Sequence, residues 1–102
     1  MPADIAVASE GGKETVYVAD TFSLRRVDGA SGKVDEVVRT HGDIHEYPLG
    51  VSLGAKNATM TSWFSGTAHV VERATGKTVR LVKDLKAPMD AIEHADGSLL
   101  VL

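Results

Sequence analysis

A set of short motifs recurs along this chain every 40 to 46 residues, and that repeat constrains the fold more than any other feature of the sequence. Three segments open on proline: Pro2-Ala3-Asp4-Ile5-Ala6-Val7, Pro48-Leu49-Gly50-Val51-Ser52-Leu53 and Pro88-Met89-Asp90-Ala91-Ile92-Glu93. Their prolines lie 46 and 40 residues apart. Ala30-Ser31-Gly32-Lys33 returns 44 residues later as Ala74-Thr75-Gly76-Lys77. Between these registers Val16-Tyr17-Val18-Ala19-Asp20 corresponds to Thr59-Met60-Thr61-Ser62, with Leu99-Leu100-Val101-Leu102 as a third copy. A period of this length holds one supersecondary unit, which buries its apolar face by stacking on its neighbours.

Each unit reads as four short antiparallel strands. In the first they are Ile5–Ala8, Thr15–Asp20, Leu24–Asp28 and Lys33–Arg39; in the second, Gly50–Leu53, Ala58–Ser62, Thr67–Arg73 and Thr78–Lys83. Turn signals such as Gly11-Gly12, Asp28-Gly29, Ser65-Gly66 and Asp96-Gly97 separate them at the spacing of an all-β chain. In the second strand Val16 and Val18 share one face and Tyr17 and Ala19 the other, so both faces are expected to be partly buried. Two places also admit a helix. Pro88–Ala95 carries Pro at a first turn and Met89 and Ile92 three residues apart, and Val34–Val38 suits a helical turn. The repeat favours strand for Pro88–Ala95, because its counterpart Gly50–Leu53 begins with glycine. The expected fold is all-β, with about ten strands, in one domain of 102 residues. Residues 1–47 form the first repeat, 48–87 the second and 88–102 half of a third.

Composition narrows the function classes. Apolar residues make up 43% and charged residues 25%, which is the balance of an ordinary folded domain. With no Cys there is no disulfide framework, thiolate zinc site or cysteine nucleophile. The net charge of −3 speaks against a nucleic-acid partner, which calls for a basic stripe. No run approaches the length of a membrane-spanning helix, and Met1–Ala8 lacks the basic and apolar regions of a secretory signal. No membrane partner is therefore expected, and the cytoplasm is the default location.

Four strands per 40–45 residues with glycine punctuation is the sequence form of a β-propeller blade. The wording resembles the six-bladed NHL and SMP-30 (gluconolactonase, strictosidine-synthase-like) group. The likeness is carried by Pro2, Asp4, Ile5, Ala6, Val7, Val16–Asp20, Arg26, Val27, Gly32 and Lys33, and it extends over nearly the whole chain. The second unit departs from it, with Met60 for Tyr17 and Ser62 for Asp20. The resemblance implies a propeller that closes with six blades, whereas two and a half are counted here. Completion by self-association, as a dimer or a trimer, is the expectation that follows. Re-pairing into a sandwich or barrel, and a piece of a longer reading frame, are the other outcomes.

Three clusters are candidate sites. His41, Asp43 and His45 alternate in His41-Gly42-Asp43-Ile44-His45-Glu46, so an extended backbone points all three one way, a set suited to zinc or another divalent cation. The same residues also suit a solvated loop. Asp4, Asp20 and Asp90 are the positions that the resemblance picks out. Lactonase-like propellers hold a divalent cation, often calcium, around a central tunnel, where it polarises a lactone carbonyl and activates water. Gly50 interrupts that set, and each Asp equally suits a turn or cap. Phe22, Trp63 and Phe64 fall in the connections between second and third strands, where aromatics line a ligand pocket or interface, or else cover the gap between blades.

Other patterns are weaker. Asn57-Ala58-Thr59 is a glycosylation sequon at a strand start, the Gly-Lys pairs lack the spaced glycines of a phosphate loop, and Ser62, Ser65 and His69 lack an orienting third group. The leading expectation is a non-catalytic propeller-type binding module that self-associates and presents its loops to a small molecule or protein. The alternative is a divalent-metal-dependent lactonase or hydrolase, active as an assembled oligomer.

Overall fold

The computed structural model describes residues 3–20, 23–39 and 48–102, with the backbone alone at 48 and 49. Among the described residues ten strands follow one another: β1 Asp4–Glu10, β2 Lys13–Asp20, β3 Ser23–Asp28, β4 Val34–Arg39, β5 Pro48–Leu53, β6 Asn57–Ser62, β7 Thr67–Glu72, β8 Thr78–Val82, β9 Ala91–Glu93 and β10 Leu99–Val101. They pair only with chain neighbours, giving an antiparallel meander β1-β2-β3-β4, a second meander β5-β6-β7-β8 and the hairpin β9-β10. The all-β expectation therefore holds: Val34–Val38 lies within β4, and Pro88–Ala95 holds the three-residue strand β9 and no helix.

Local chemistry explains the turns. The β1–β2 hairpin closes through Gly11 and Gly12, both at positive φ (59° and 78°), the backbone of a tight two-residue turn that favours glycine. The β3–β4 and β7–β8 turns share their backbone hydrogen bonds and one side-chain bond. Gly32 N–H donates to Asp28 O and Gly76 N–H to Glu72 O, both at 2.8 Å. Lys33 N–H donates to Ser31 Oγ and Lys77 N–H to Thr75 Oγ1, both at 3.2 Å.

The sheets stack face to face through their first strands. β5 packs against β1 and β2 on one side and β9 on the other. Tyr17, Ala19 and Leu24 of the first sheet meet Val51, Ala58, Met60 and Val71 of the second, and Ala6, Ala8, Val37, Val38 and Leu53 pack around them. The opposite face of the second sheet offers Thr59, Thr61, Ala68 and Val70. Across that junction Thr61 Oγ1 donates to Met89 O at 3.2 Å, and the Ser52 hydroxyl donates to Ala91 O. The short Ala91–Glu93 segment is a strand through its pairing with Leu99–Val101, and these bonds seat it on the second sheet.

The pairing registers sharpen the repeat. Asp4 pairs with Ala19 and Gly50 with Thr61, so Asp4 matches Gly50 and Asp20 matches Ser62. Ile5 pairs with Val18 as Val51 pairs with Met60. Met60 is therefore the counterpart of Val18, and Thr59 that of Tyr17. The Tyr17–Met60 correspondence drawn from sequence was out by one residue, because motif matching cannot fix which face a side chain takes.

Candidate functional site

The meanders place β1–β2, β3–β4, β5–β6, β7–β8 and β9–β10 turns at one end of the stack. The starts of β1 and β5, the end of β2 and the β6–β7 turn lie at the other. Each end carries a polar arrangement between sheets.

At the second end lie Asp4, Asp20, Asp90, Trp63 and Phe64. The Asp4 carboxylate accepts the N–H of Ile5 at 2.9 Å and, across the gap between sheets, that of Val51 at 3.0 Å. Asp90 repeats the first bond, accepting the Ala91 N–H at 2.9 Å. Gly50 supplies no carboxylate of its own to Val51, and a Cβ there would stand 2.9 Å from Asp90 Oδ1, Met89 O and Thr61 Oγ1. The glycine thus makes room for the third sheet while Asp4 satisfies the strand it opens. Asp20 pairs with Arg25 at 3.1 Å. Among the described residues no three His, Asp or Glu side chains come together as a metal-binding group. His41, Asp43, His45 and Phe22 lie outside the described residues.

Trp63 and Phe64 cap the β6–β7 turn in edge-to-face contact, with ring centroids 5.7 Å apart at 79°. They are 47% and 75% exposed. The turn folds this way because Gly66, at φ 66°, lets its N–H return to Ser62 O at 3.0 Å. Trp63 is thus half-exposed and Phe64 mostly exposed at this end of the stack.

The first end holds a cluster that sequence reasoning missed. A cleft of about 500 Å³ opens between the first two sheets, lined by Glu10, Tyr17, Arg26, Lys56, Glu72 and Arg73. Arg73 Nε donates to Glu10 Oε2 at 3.0 Å, and its two terminal nitrogens donate to Gly54 O, Asn57 O and Ala55 O. Its guanidinium carbon sits 5.7 Å from the centre of the Tyr17 ring. The Tyr17 hydroxyl donates to the Glu10 carboxylate at 2.9 Å. Arg26 completes the set with a two-pronged bond to Asp35 and a third to Arg73 O, each at 3.1 Å. Burial, then the hydrogen bond to Glu10, raises the Tyr17 pKa above its ordinary value, and Arg26 and Arg73 oppose that rise. Chemically the cluster is a clasp: Arg73 spends its donors on Glu10 and the β5–β6 turn, fastening the second sheet to the first.

Its sequence signal was faint. Arg73 occupies the turn position held by Gly29 in the first repeat, and both residues donate their N–H across to the neighbouring hairpin, to Lys56 O and Glu14 O. A long cation in place of a glycine was the clue.

A comparable glutamate closes the junction between second and third sheets, where Asn57 Nδ2 donates to both Glu93 carboxylate oxygens at 3.1 and 3.3 Å. The sequon asparagine is thus engaged inside the fold. His69 is 2% exposed and shares a 2.8 Å hydrogen bond with Thr78 Oγ1. Burial lowers its pKa.

Compared with known proteins, the chain matches no family model, no curated protein and no solved structure.

Proposed function

We propose that this chain is a non-catalytic interaction module of the β-propeller type, each four-stranded sheet being one blade. On this reading it works by stacking blade upon blade, associates with further blades through its outer faces, and offers the Trp63–Phe64 end to a small molecule or protein. One observation carries the reading. Val51 is 5% exposed between two sheets, while its repeat counterpart Ile5 is 60% exposed on the outer face of the first sheet. The same kind of surface is buried in one place and open in the other. Around Ile5 the open face continues through Val18 and across the strands as Val7, Val16, Val27 and Val34, an apolar row of the kind that marks an interaction surface.

The use of the carboxylates also favours this reading. Asp4 is bonded to two backbone N–H groups and Asp20 to Arg25, so both carboxylates already serve to hold strands and neighbouring side chains in place.

Light scattering on a size-exclusion column tests the association; a mass that stays at one chain as concentration rises rejects it. Trp63 emission and its quenching by iodide test the binding end separately. An exposed Trp63 whose emission shifts and whose quenching falls on adding a candidate ligand supports contact there. If no member of a small-molecule and peptide panel alters either quantity, that part of the proposal fails.

A further inference from the structure

From the repeat register we infer that the partner of the open face is a second copy of this chain, docked head to tail, with its first sheet seated on the third sheet of its neighbour. This rests on the reading above and adds the partner and the polarity of the contact.

The polarity follows from which residues face which way. Ile5, Val51 and Ala91 are repeat counterparts; Val51 and Ala91 look back towards the preceding sheet, and both are buried against it. Ala6, Ser52 and Ile92 are the next position along and look forward. Ala6 packs on the second sheet, and the Ser52 hydroxyl bonds to the third. Every junction within the chain therefore joins a forward face to a backward face. The two faces left open are one of each kind: backward on the first sheet, around Ile5 and Val7, and forward on the third, around Ile92 and Leu100.

The residue pairing carries the match further. Ile92 pairs with Leu100 as Ala6 pairs with Tyr17, and Leu102 lies opposite Asp90 as Ala19 lies opposite Asp4. Ile92, Leu100 and Leu102 thus hold the places of Ala6, Tyr17 and Ala19, the side chains that receive Val51 and Met60 inside the chain. Ile5 and Val18 hold the places of Val51 and Met60. The receiving surface and the inserting surface are both present and both apolar, with Ile92, Leu100 and Leu102 at 51, 66 and 79% exposure. Docking one on the other continues the internal stack with its handedness unchanged. A contact of this type joins two different patches, so it generates either a closed ring or an open chain of copies.

Complementary blocked variants test this. Ile5→Lys with Val7→Lys closes the backward face; Ile92→Lys with Leu100→Lys closes the forward face. All four positions are solvent-exposed in the single chain, and far-UV circular dichroism with thermal melting verifies folding. Should either lysine pair fail to fold, threonine at the same two positions replaces it. The wild-type chain is expected to associate, and each blocked variant alone to lose self-association by at least about tenfold. An equimolar mixture of the two is expected to give a one-to-one dimer and nothing larger. A single blocked variant that still dimerises shows a symmetric contact and overturns the inference, as does a mixture that stays monomeric while the wild type associates. A wild type that is itself monomeric rejects the self-association of the proposed function along with the inference.

Discussion

The carboxylate of Asp4, on the first sheet, accepts the backbone N–H of Val51 on the second at 3.0 Å, a bond that spans two repeats because Gly50 brings no side chain to make it locally. Asp4 also holds Ile5 N–H. Asp4→Ala strips an acceptor from both groups and is expected to cost about 1–3 kcal/mol. For a chain of this size that lowers Tm by on the order of 5–20 °C. Asp4→Asn keeps one acceptor oxygen and loses less. Asp20→Ala removes a partly exposed ion pair with Arg25 and is expected to cost at most about 1 kcal/mol. Thermal melts of the three variants check the order, and equal losses at Asp4 and Asp20 sink the bridging role.

The Arg73 clasp makes a second case. Arg73 is 12% exposed at its side chain and ties Glu10, Tyr17 and three carbonyls of the β5–β6 turn into one group. Arg73→Met leaves Glu10 with Tyr17 alone and is expected to cost about 2–3 kcal/mol. Arg73→Lys keeps the charge, loses the forked geometry and recovers only part of that. Combined with Tyr17→Phe, the losses are expected to fall short of additivity by about 1 kcal/mol, since both changes break one network. Urea unfolding gives the double-mutant cycle. The raised Tyr17 pKa adds a pH signature: its contribution is complete below the unfolded value near 10 and disappears as pH rises through the folded value. Glu10→Gln moves the phenol titration, followed by ultraviolet absorbance, back down.

How far these features were legible depended on the reach of each interaction. The Gly32 and Gly76 turns are local chemistry, and their four-residue signature predicted both. Tyr17 and Val18 on opposite faces followed from alternation. Ala91–Glu93 was ambiguous because three residues carry too little pattern; its strand partner Leu99–Val101 is just as short, and the Ser52 hydroxyl that holds it to the second sheet is 39 residues away. Arg73 was invisible as a clasp because Glu10 lies 63 residues off and the repeat counterpart is a glycine. The exposure of Trp63 and Phe64 turned on the four-residue β6–β7 turn, which sets Trp63 half-exposed and Phe64 mostly exposed at the end of the stack. Composition cannot show that.

His69 predicts a separate acid response. It is buried on β7 beside Thr78, and burial holds its pKa below the ordinary 6.5. The unfolded chain therefore takes up a proton before the folded one does. The associated stability is complete above about pH 6.5 and is lost as pH falls through the folded value. Asp28 and Asp96 act in a lower window. Their carboxyl groups are held below the usual 3.8, Asp28 by the N–H groups of Ala30 and Ser31 and Asp96 by Ser98. His69→Gln is thus expected to flatten stability between pH 7 and 5 without changing the loss below pH 4. Urea midpoints across that range check it, and a variant with the wild-type slope between pH 7 and 5 removes His69 from the account.

The twin turns allow a matched comparison that isolates packing from backbone strain. Gly32 and Gly76 share their φ, 74° and 76°, and their hydrogen bonds. A Cβ on Gly32 meets nothing within 4 Å, whereas on Gly76 it would stand 2.1 Å from Val37 O of β4. Gly32→Ala therefore pays only for an alanine at positive φ, about 1 kcal/mol. Gly76→Ala pays the same and must also push the β7–β8 turn away from the first sheet, for a further loss of about 1–3 kcal/mol. Urea unfolding of the two variants measures the difference directly. A clearly larger loss at Gly76 shows that this turn is pressed against β4 in solution, as face-to-face stacking of the first two sheets requires. Equal losses mean that the two sheets stand further apart there.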